Sequence, residues 1–429
     1  MSFKDTFCSS PWFHMRINNA GAYEVCRWAT SKHFDTAHNI TTESPLTFFK
    51  NGMSGFRKSL LDGEVNSLCK RCHQMDAHGK PSGRLRQLLK TGVDVKHFEN
   101  SLLSSKFFAE FKHSNDNDGD TDLYPTDWQI DLGNFCNSAC VMCEPQSSSR
   151  IAAEFKKLKI IDAVPKASWC DDEQLLGKFV TDLSSLPNIK YLHFIGGETL
   201  ITPAFKTIAQ ALVDAGVSGS ITLGFTSNLT LWDQSTVDLL KKFHQINVGL
   251  SVETLTRTND YIRYPSKIEV VQDVLDRWVR VSQENNWLVQ LRITPTCLSI
   301  AELTTVYDYA YQHNLAVESC NFIENPAHMR PSVLPPAMRV AIISKLQQWI
   351  SEHKQKTSEF IINTRDPNLA RVQIVQDAES YVSYLTNEPD ESFRAVELVD
   401  YLKLLESNRK NSILDYLPEY EEFFKSVGY

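Results

Sequence analysis

The sequence predicts an α/β protein with a partial barrel of six βα units, a small cysteine-rich N-terminal module and a helical C-terminal extension. Its 429 residues, 42% of them apolar, are enough to bury a large core. From residue 128 onward, short apolar runs alternate with amphipathic stretches, the pattern of parallel βα units. The expected domains are residues 1–112 for the module, 113–125 for a linker, 126–330 for the barrel and 331–429 for the extension.

Six apolar runs of strand length are predicted to form the barrel sheet: WQIDL (128–132), IKYLHFI (189–195), SITLGFT (220–226), INVGLSV (246–252), LVQLRIT (288–294) and LAVESCNFI (315–323). Helical patterns separate them, as at 205–215, 236–243 and 268–283. A helix between two parallel strands is the usual crossover of such a barrel. Functional residues of these barrels gather at the carboxyl ends of the strands, so the residues just after each run are the site candidates.

The two flanking regions have different patterns. The stretch HSNDNDGDTDLYP at 113–125 is polar and rich in turn formers, which predicts a linker. Beyond residue 332 the periodicity is helical, at 338–354, 393–410 and 419–427. We expect these helices to cover the barrel or to border a substrate cleft.

Composition excludes several classes of protein. No apolar run approaches the roughly 20 residues that a membrane span requires, and the N-terminus has no apolar segment typical of a secretory signal. We therefore expect a cytoplasmic protein. The net charge of −8 argues against a dedicated nucleic-acid binder, although residues 1–100 hold 14 basic and 9 acidic residues.

Ten cysteines in such a chain are expected to be reduced and to serve metal binding or catalysis. Cys136, Cys140 and Cys143 form a C-x3-C-x2-C run directly after the first predicted barrel strand. Three thiolates on one loop can hold three irons of a cubane cluster and leave the fourth iron open to another ligand. The alternatives are a zinc site with a distant fourth ligand or buried thiols.

This loop resembles the signature of the radical SAM superfamily, in which the same spacing follows the first strand of a partial (β/α)6 barrel and an apolar residue, here Met142, precedes the third cysteine. The resemblance implies a [4Fe-4S] cluster that binds S-adenosylmethionine, with Met142 at the cofactor. Reductive cleavage of the cofactor then gives a 5′-deoxyadenosyl radical that abstracts a substrate hydrogen. It also implies an electron donor of the reductase or flavodoxin type.

Other strand ends carry further parts of the resemblance. Gly196, Gly197 and Glu198 end the second predicted strand and are similar to the family's GGE motif. The resemblance implies that the backbone of the glycines approaches the cofactor and that the carboxylate binds its ammonium group. Ser251 and Glu253 end the fourth predicted strand and look like the polar residues that bind the cofactor's ribose.

Four more residues are candidate cofactor contacts with open alternatives. Ser227 and Asn228 end the third predicted strand, where they either contact the cofactor or cap the next helix. Arg263 either pairs with a carboxylate of cofactor or substrate or forms a surface salt bridge. Thr294 ends the fifth predicted strand and is a further candidate cofactor contact.

The N-terminal module contains four cysteines, Cys8, Cys26, Cys69 and Cys72, which can close a metal site. Spacing does not separate zinc from an iron–sulfur cluster, because both use four thiolates. The arrangement resembles the auxiliary-cluster motif of SPASM and Twitch domains, which implies a second, auxiliary [4Fe-4S] cluster with these four ligands. In the best-known members that module follows the barrel, whereas here it precedes it. Three nearby histidines are interpreted as residues that lie on the surface or next to the metal ligands without binding the metal: His14, His73 and His78.

Two isolated cysteines raise a separate hypothesis. Cys297 follows the fifth predicted strand and Cys320 lies in the sixth. A thiol at the barrel mouth could return a hydrogen atom to a substrate radical, as cysteines do in radical SAM epimerases. Cys297 is thus a candidate catalytic residue, although packing of a small apolar side chain is the preferred interpretation.

The resemblance favours modification of a peptide or protein, since SPASM and Twitch modules often accompany peptide maturation. The basic segment at 70–90 could dock an acidic leader peptide or simply be a solvated face. Alternatives are radical chemistry on a small metabolite such as a sugar or an amino acid, modification of a nucleic acid, or a non-catalytic iron–sulfur protein.

Overall fold

The computed structural model describes residues 3–27, 38–77, 82–165, 168–319, 322–354, 364 and 366–429. The chain divides into two compact units. The first unit comprises 1–133, 166–225 and 235–246, and the second comprises 134–165, 226–234 and 247–429. Cys320 and His78 lie outside the described residues.

The strands form one mostly parallel sheet in the spatial order β2-β1-β3-β4-β5-β6-β7-β8. Their bounds are β1 His14–Ile17, β2 Tyr23–Glu24, β3 Asp127–Asp131, β4 Tyr191–Ile195, β5 Thr222–Ser227, β6 Gln245–Ser251, β7 Leu288–Ile293 and β8 Ala316–Ser319. Each of the six predicted runs overlaps one of the strands β3–β8. The α/β class is confirmed, and the parallel order of β3–β8 is consistent with a partial barrel.

The strands β1 and β2 were not predicted. Strand β1 runs parallel to β3, with His14 opposite Asp127 and Ile17 opposite Ile130. At only four residues, HMRI is too short to show a strand period. His14 is buried, and its Nδ1 lies 3.0 Å from Asp127 Oδ1, so this histidine is part of the sheet and not a surface residue.

The helices, in chain order, are α1 Phe3–Thr6, α2 Pro45–Thr47, α3 Ser54–Leu61, α4 Lys70–Ala77, α5 Gly83–Lys90, α6 Phe98–Ser104, α7 Phe108–Asp116, α8 Ser149–Lys157, α9 Glu173–Ser185, α10 Pro203–Asp214, α11 Gln234–Leu240, α12 Thr258–Ile262, α13 Ile268–Asn285, α14 Leu303–His313, α15 Pro336–His353, α16 Pro367–Asn387, α17 Ala395–Arg409 and α18 Glu421–Ser426. Helix α7 extends into the segment predicted as a linker. Helix α16 was not predicted, although the helical extension as a whole was.

The first unit has an aromatic core of its own near the N-terminus. Phe7, Trp12 and Phe111 are at most 3% exposed, and their rings pack at centroid distances of 5.1–5.8 Å. Leu88 and Phe98, from α5 and α6, join the same cluster. Burial of side chains this large gives the N-terminal segment a stable frame for its cysteines.

The strands of the first unit alternate between an apolar and a polar face. Leu192 and Phe194 of β4 are fully buried, and the Phe194 ring packs on Phe205 of α10 at 5.2 Å. The residue between them, His193, points to the other face, as the two-residue period of a strand requires. The apolar face therefore packs under helices, and polar side chains lie on the opposite face of the sheet.

Candidate functional site

The C-x3-C-x2-C loop belongs to the second unit and leads into helix α8. Cys140 is buried and Cys136 and Cys143 are half-buried, and none of them is in a disulfide. The backbone on either side of Cys140 is fixed: Ala139 N donates to Tyr264 O at 2.7 Å, and Val141 N donates to Ile262 O at 2.8 Å. The loop is thus tied to the segment that follows Glu253.

Side-chain amides also hold this loop. Asn228 Nδ2 donates to Asn137 Oδ1 at 2.7 Å and to Ser138 Oγ at 3.0 Å, and Asn137 Nδ2 donates to Thr230 Oγ1 at 2.8 Å. Ser148 accepts from Ile151 N at the start of α8 and donates to Ser138 O at 2.6 Å. The structure therefore gives Asn228 a role in holding the loop that was not foreseen, and Asn137 and Thr230 were not predicted either.

The electrostatic surroundings of the loop favour the thiolate form of Cys140. A hydrogen bond from Cys143 and the positive charges of Arg263 and Arg409 lower the pKa of the Cys140 thiol to about 6. The shared proton raises the pKa of Cys143 in turn, with burial as the second cause. Because the thiolate is the metal-binding form, the lowered pKa of Cys140 suits a metal ligand.

Within the part of the chain that the structure describes, no three His, Cys, Asp or Glu side chains converge on a point where a single metal ion would sit.

Glu253 and Arg263 form a buried ion pair beside the loop. Arg263 Nη1 lies 2.9 Å from Glu253 Oε1, and Thr294 N donates to Glu253 Oε2 at 2.8 Å. Burial raises the pKa of Glu253 to about 7, and the attraction of Arg263 only partly opposes it. The structure therefore brings the predicted residues Glu253, Arg263 and Thr294 together, and they bind one another.

The remaining predicted residues of the second unit have simpler surroundings. Ser227 Oγ accepts from Leu229 N at 3.2 Å, which is a local turn contact, and the next helix, α11, begins only at Gln234, so Ser227 does not cap it. Met142 is half-buried in the loop, and Ser251 is half-buried at the end of β6.

A charged row that was not predicted lies next to Ser251. Ser251 is opposite Arg292 of β7, and Arg292 is opposite Glu318 of β8. Arg292 Nη2 lies 3.2 Å from Glu318 Oε2, and its Nη1 donates to Thr226 Oγ1 at 3.2 Å. A Cβ atom on Gly249 would lie 2.4 Å from Arg292 Nε, so this glycine makes room for the guanidinium group.

The Gly-Gly-Glu turn lies in the first unit, directly after β4. Gly196 and Gly197 have φ values of +103° and +51°, and a Cβ atom on Gly196 would lie 2.3 Å from Asp131 Oδ1. The first glycine is therefore required by close packing against the end of β3. Glu198 is 1% exposed, and its Oε1 accepts from Leu200 N at 3.2 Å.

The four N-terminal cysteines line one cavity of about 30 Å³ in the first unit, together with Pro11, Phe56 and Arg84. Burial and the neighbouring thiols raise the pKa of Cys69 to about 12 and that of Cys72 to about 11. Burial also raises the pKa of Cys8. Residues far apart in the sequence thus share one enclosed space. Partial burial lowers the pKa of the nearby His73.

Cys297 lies in the core of the second unit. It is 0% exposed, its Sγ donates to His328 O at 3.7 Å, and Tyr420 Oη donates to its carbonyl at 2.9 Å. Burial raises the pKa of the thiol well above its ordinary value. These contacts favour the packing interpretation.

No helix among the described residues has the length and apolar character needed to cross a membrane. A comparison with curated proteins found no match to the chain. The chain is similar to the solved structure of native anSMEcpe with bound AdoMet, at 17% identity over 52% of this chain and 60% of that chain, with a TM-score of 0.37. It therefore spans less than two thirds of the length of that protein.

Two further structures are similar to the chain. One is Streptococcus suis SuiB bound to its precursor peptide SuiA, at 14% identity over 74% of this chain and 67% of that chain, with a TM-score of 0.36. The other is the radical S-adenosylmethionine methyltransferase TsrM from Kitasatospora setae, at 15% identity over 44% and 34%, with a TM-score of 0.32.

The family comparison covers the part of the chain that holds the cysteine loop. Residues 130–294 match the model of the Radical SAM superfamily, from the end of β3 to just beyond β7. This match indicates an enzyme. Residues 130–294 are therefore a radical SAM domain.

Proposed function

We propose that this chain reductively cleaves S-adenosylmethionine and uses the resulting 5′-deoxyadenosyl radical to abstract a hydrogen atom from a peptide or protein. The observation that carries the proposal is the loop of Cys136, Cys140 and Cys143 inside the radical SAM domain, with its backbone fixed and two arginines beside it. When bound, a [4Fe-4S] cluster on these thiols would supply the electron and the open iron site for the cofactor.

The chain's own residues then have distinct tasks in this proposal. Arg263 holds positive charge next to the thiols and keeps Glu253 oriented, and Thr294 fixes the second oxygen of that carboxylate. On the resemblance, Met142, Ser227, Asn228 and Ser251 also contact the cofactor, as do Gly196, Gly197 and Glu198.

The experiment is anaerobic reconstitution with iron and sulfide, followed by reduction, addition of S-adenosylmethionine and chromatography of 5′-deoxyadenosine. A variant with Cys136, Cys140 and Cys143 all replaced by Ala is the matched control. We expect product from the wild type and none from the variant. Equal amounts from both would contradict the proposal, and so would no product from a wild type that holds its cluster both with and without added peptide.

The peptide or protein substrate rests on the resemblance, since SPASM and Twitch modules often accompany peptide maturation. The net charge of −8 argues against a nucleic acid. Stimulation of 5′-deoxyadenosine formation by a casein digest, and not by free amino acids, sugars or a short RNA, is the expected result. Stimulation by one of the other three alone would contradict it.

The four N-terminal cysteines are proposed to hold the auxiliary cluster. The shared cavity supports one site for all four thiols, and the same donors would suit zinc. Metal analysis of the triple-Ala variant distinguishes an iron–sulfur cluster from zinc at the N-terminal cysteines. This variant lacks the loop cysteines, so its remaining metal is either iron with sulfide or zinc.

A further inference from the structure

The C-terminal helix α17 contacts the cysteine loop at the two carbonyls that flank Cys140. Tyr401 Oη donates to Val141 O at 2.8 Å, and Arg409 Nη2 donates to Ala139 O at 2.8 Å. The amides of the same two loop residues donate to backbone carbonyls, as described above. Both backbone groups on each side of Cys140 are therefore engaged.

Arg409 is itself held rigidly. Its Nε donates to Glu154 Oε1 at 3.0 Å, and its Nη2 lies 2.6 Å from Glu154 Oε2, which makes a bidentate pair with side chains 1% and 6% exposed. The guanidinium carbon lies 4.8 Å from the centre of the Tyr264 ring. Its Nη1 is buried and has no hydrogen-bond partner among the residues that the structure describes.

This arrangement is more than ordinary helix packing. A buried guanidinium group is expensive to desolvate, and its pairing with Glu154 fixes its direction. The Nη2 atom bound to Ala139 O is also bound to Glu154, so the positive end of the pair faces the backbone next to Cys140. A fixed positive charge at this point favours any state of the loop that carries more negative charge.

We propose that α17 is part of the cluster-binding site, with Tyr401 and Arg409 as positioning residues for Cys140 and Arg409 as a charge that favours the reduced cluster. The inference rests on the proposed function, because it takes the cysteine loop as the cluster site. One electron added to the cluster makes it more negative, and the nearby cation lowers the free energy of that state.

The first arm of the experiment needs no metal. Hydrogen exchange of the full-length apo protein is followed in peptides that contain Ala139 and Val141. Tyr401→Phe is expected to speed their exchange about five-fold, the equivalent of one hydrogen bond. Tyr420→Phe is the matched control, because Tyr420 Oη also donates to a backbone carbonyl, that of Cys297. Equal exchange in wild type and Tyr401→Phe would overturn the positioning role.

The second arm tests whether the charge of Arg409 favours the reduced cluster. The double variant Arg409→Met with Glu154→Leu removes the pair together, so that no unpaired charge stays buried. Arg339→Met is the control, since Arg339 is also buried but pairs with Asp390. After reconstitution, the reduction potential of the loop cluster is expected to become more negative in the double variant only. An unchanged potential would overturn the charge role.

Two further measurements keep the outcomes separate. Arg409→Lys keeps the charge but loses the bidentate geometry, so it is expected to retain the potential and to speed loop exchange. If the double variant does not fold by circular dichroism, a changed potential in Arg409→Lys would overturn the charge role. The proposed function itself fails if wild type binds no more iron than the Cys136/Cys140/Cys143 triple-Ala variant, and the exchange arm still decides the positioning role.

Discussion

The buried carboxyl group of Glu253 predicts an unusual pH dependence of stability. Its side chain is 3% exposed, and burial raises its pKa from 4.5 to about 7 in spite of Arg263 at 2.9 Å. Between those two pH values the folded state therefore binds more protons than the unfolded state, and stability falls as pH rises. From pH 5 to pH 8 this one group lowers the free energy of unfolding by about 2.5 kcal/mol.

The perturbation is Glu253→Gln, which keeps the shape and removes the titration. The assay is urea unfolding of the metal-free protein at pH 5, 6, 7 and 8, in wild type and variant. At pH 5 the variant is expected to be about as stable as the wild type, because the wild-type carboxyl group is then protonated and Gln has the same neutral shape. The decisive quantity is the loss of unfolding free energy between pH 5 and pH 8. This loss should be about 2.5 kcal/mol smaller in the variant than in the wild type.

Glu391→Gln provides a control of opposite sign. Burial opposes ionisation of Glu391, but hydrogen bonding from Ser332 and the charge of Arg330 together lower its pKa. Its contribution is present above the unfolded pKa and is lost as pH falls, so its removal should not flatten the loss between pH 5 and pH 8. Identical pH profiles for wild type and Glu253→Gln would refute the reasoning about Glu253.

Three further substitutions test the packing. In thermal unfolding, Gly196→Ala is expected to destabilise the protein by more than about 2 kcal/mol, because its Cβ would lie 2.3 Å from Asp131 Oδ1 at a φ of +103°. The control Gly177→Ala should be neutral or stabilising, because no atom lies within 4 Å of the added Cβ. Phe111→Ala is expected to cost about 3–5 kcal/mol in urea unfolding, and a cost below 1 kcal/mol would contradict the N-terminal core. Cys297→Ala should cost about 1 kcal/mol and leave the substrate product and turnover unchanged, while loss of the substrate product with continued 5′-deoxyadenosine formation would favour the hydrogen-donor hypothesis.

The strands of the barrel were accessible from the sequence because their signal is local. The run IKYLHFI contains β4, and its alternation of buried Leu192 and Phe194 with His193 is set by the strand period. Strand β1 has four residues and gains its stability from pairing with β3, which lies more than a hundred residues later. The sequence of a four-residue segment does not indicate such long-range pairing.

The same contrast holds for the site. The spacing of Cys136, Cys140 and Cys143 is a local feature, and so is their position after a strand. The ion pair of Glu253 with Arg263 spans a turn and a short helix, and residue type alone did not say that the two would bind each other. The charged row of Arg292 and Glu318 depends on strand register, which is fixed only when the sheet forms.

By itself, the sequence determined the α/β class, the approximate positions of strands β3–β8 and the spacing of the three loop cysteines, because periodicity and spacing are properties of neighbouring residues. Only the tertiary structure decided what holds that loop. Tyr401 and Arg409 bind carbonyls 260 and 270 residues away, and in their own helix they look like ordinary polar residues. Folding brings the buried charge of Arg409 and the hydroxyl group of Tyr401 to the carbonyls of the loop. No local sequence pattern indicates these contacts, because the partners are far apart in the chain.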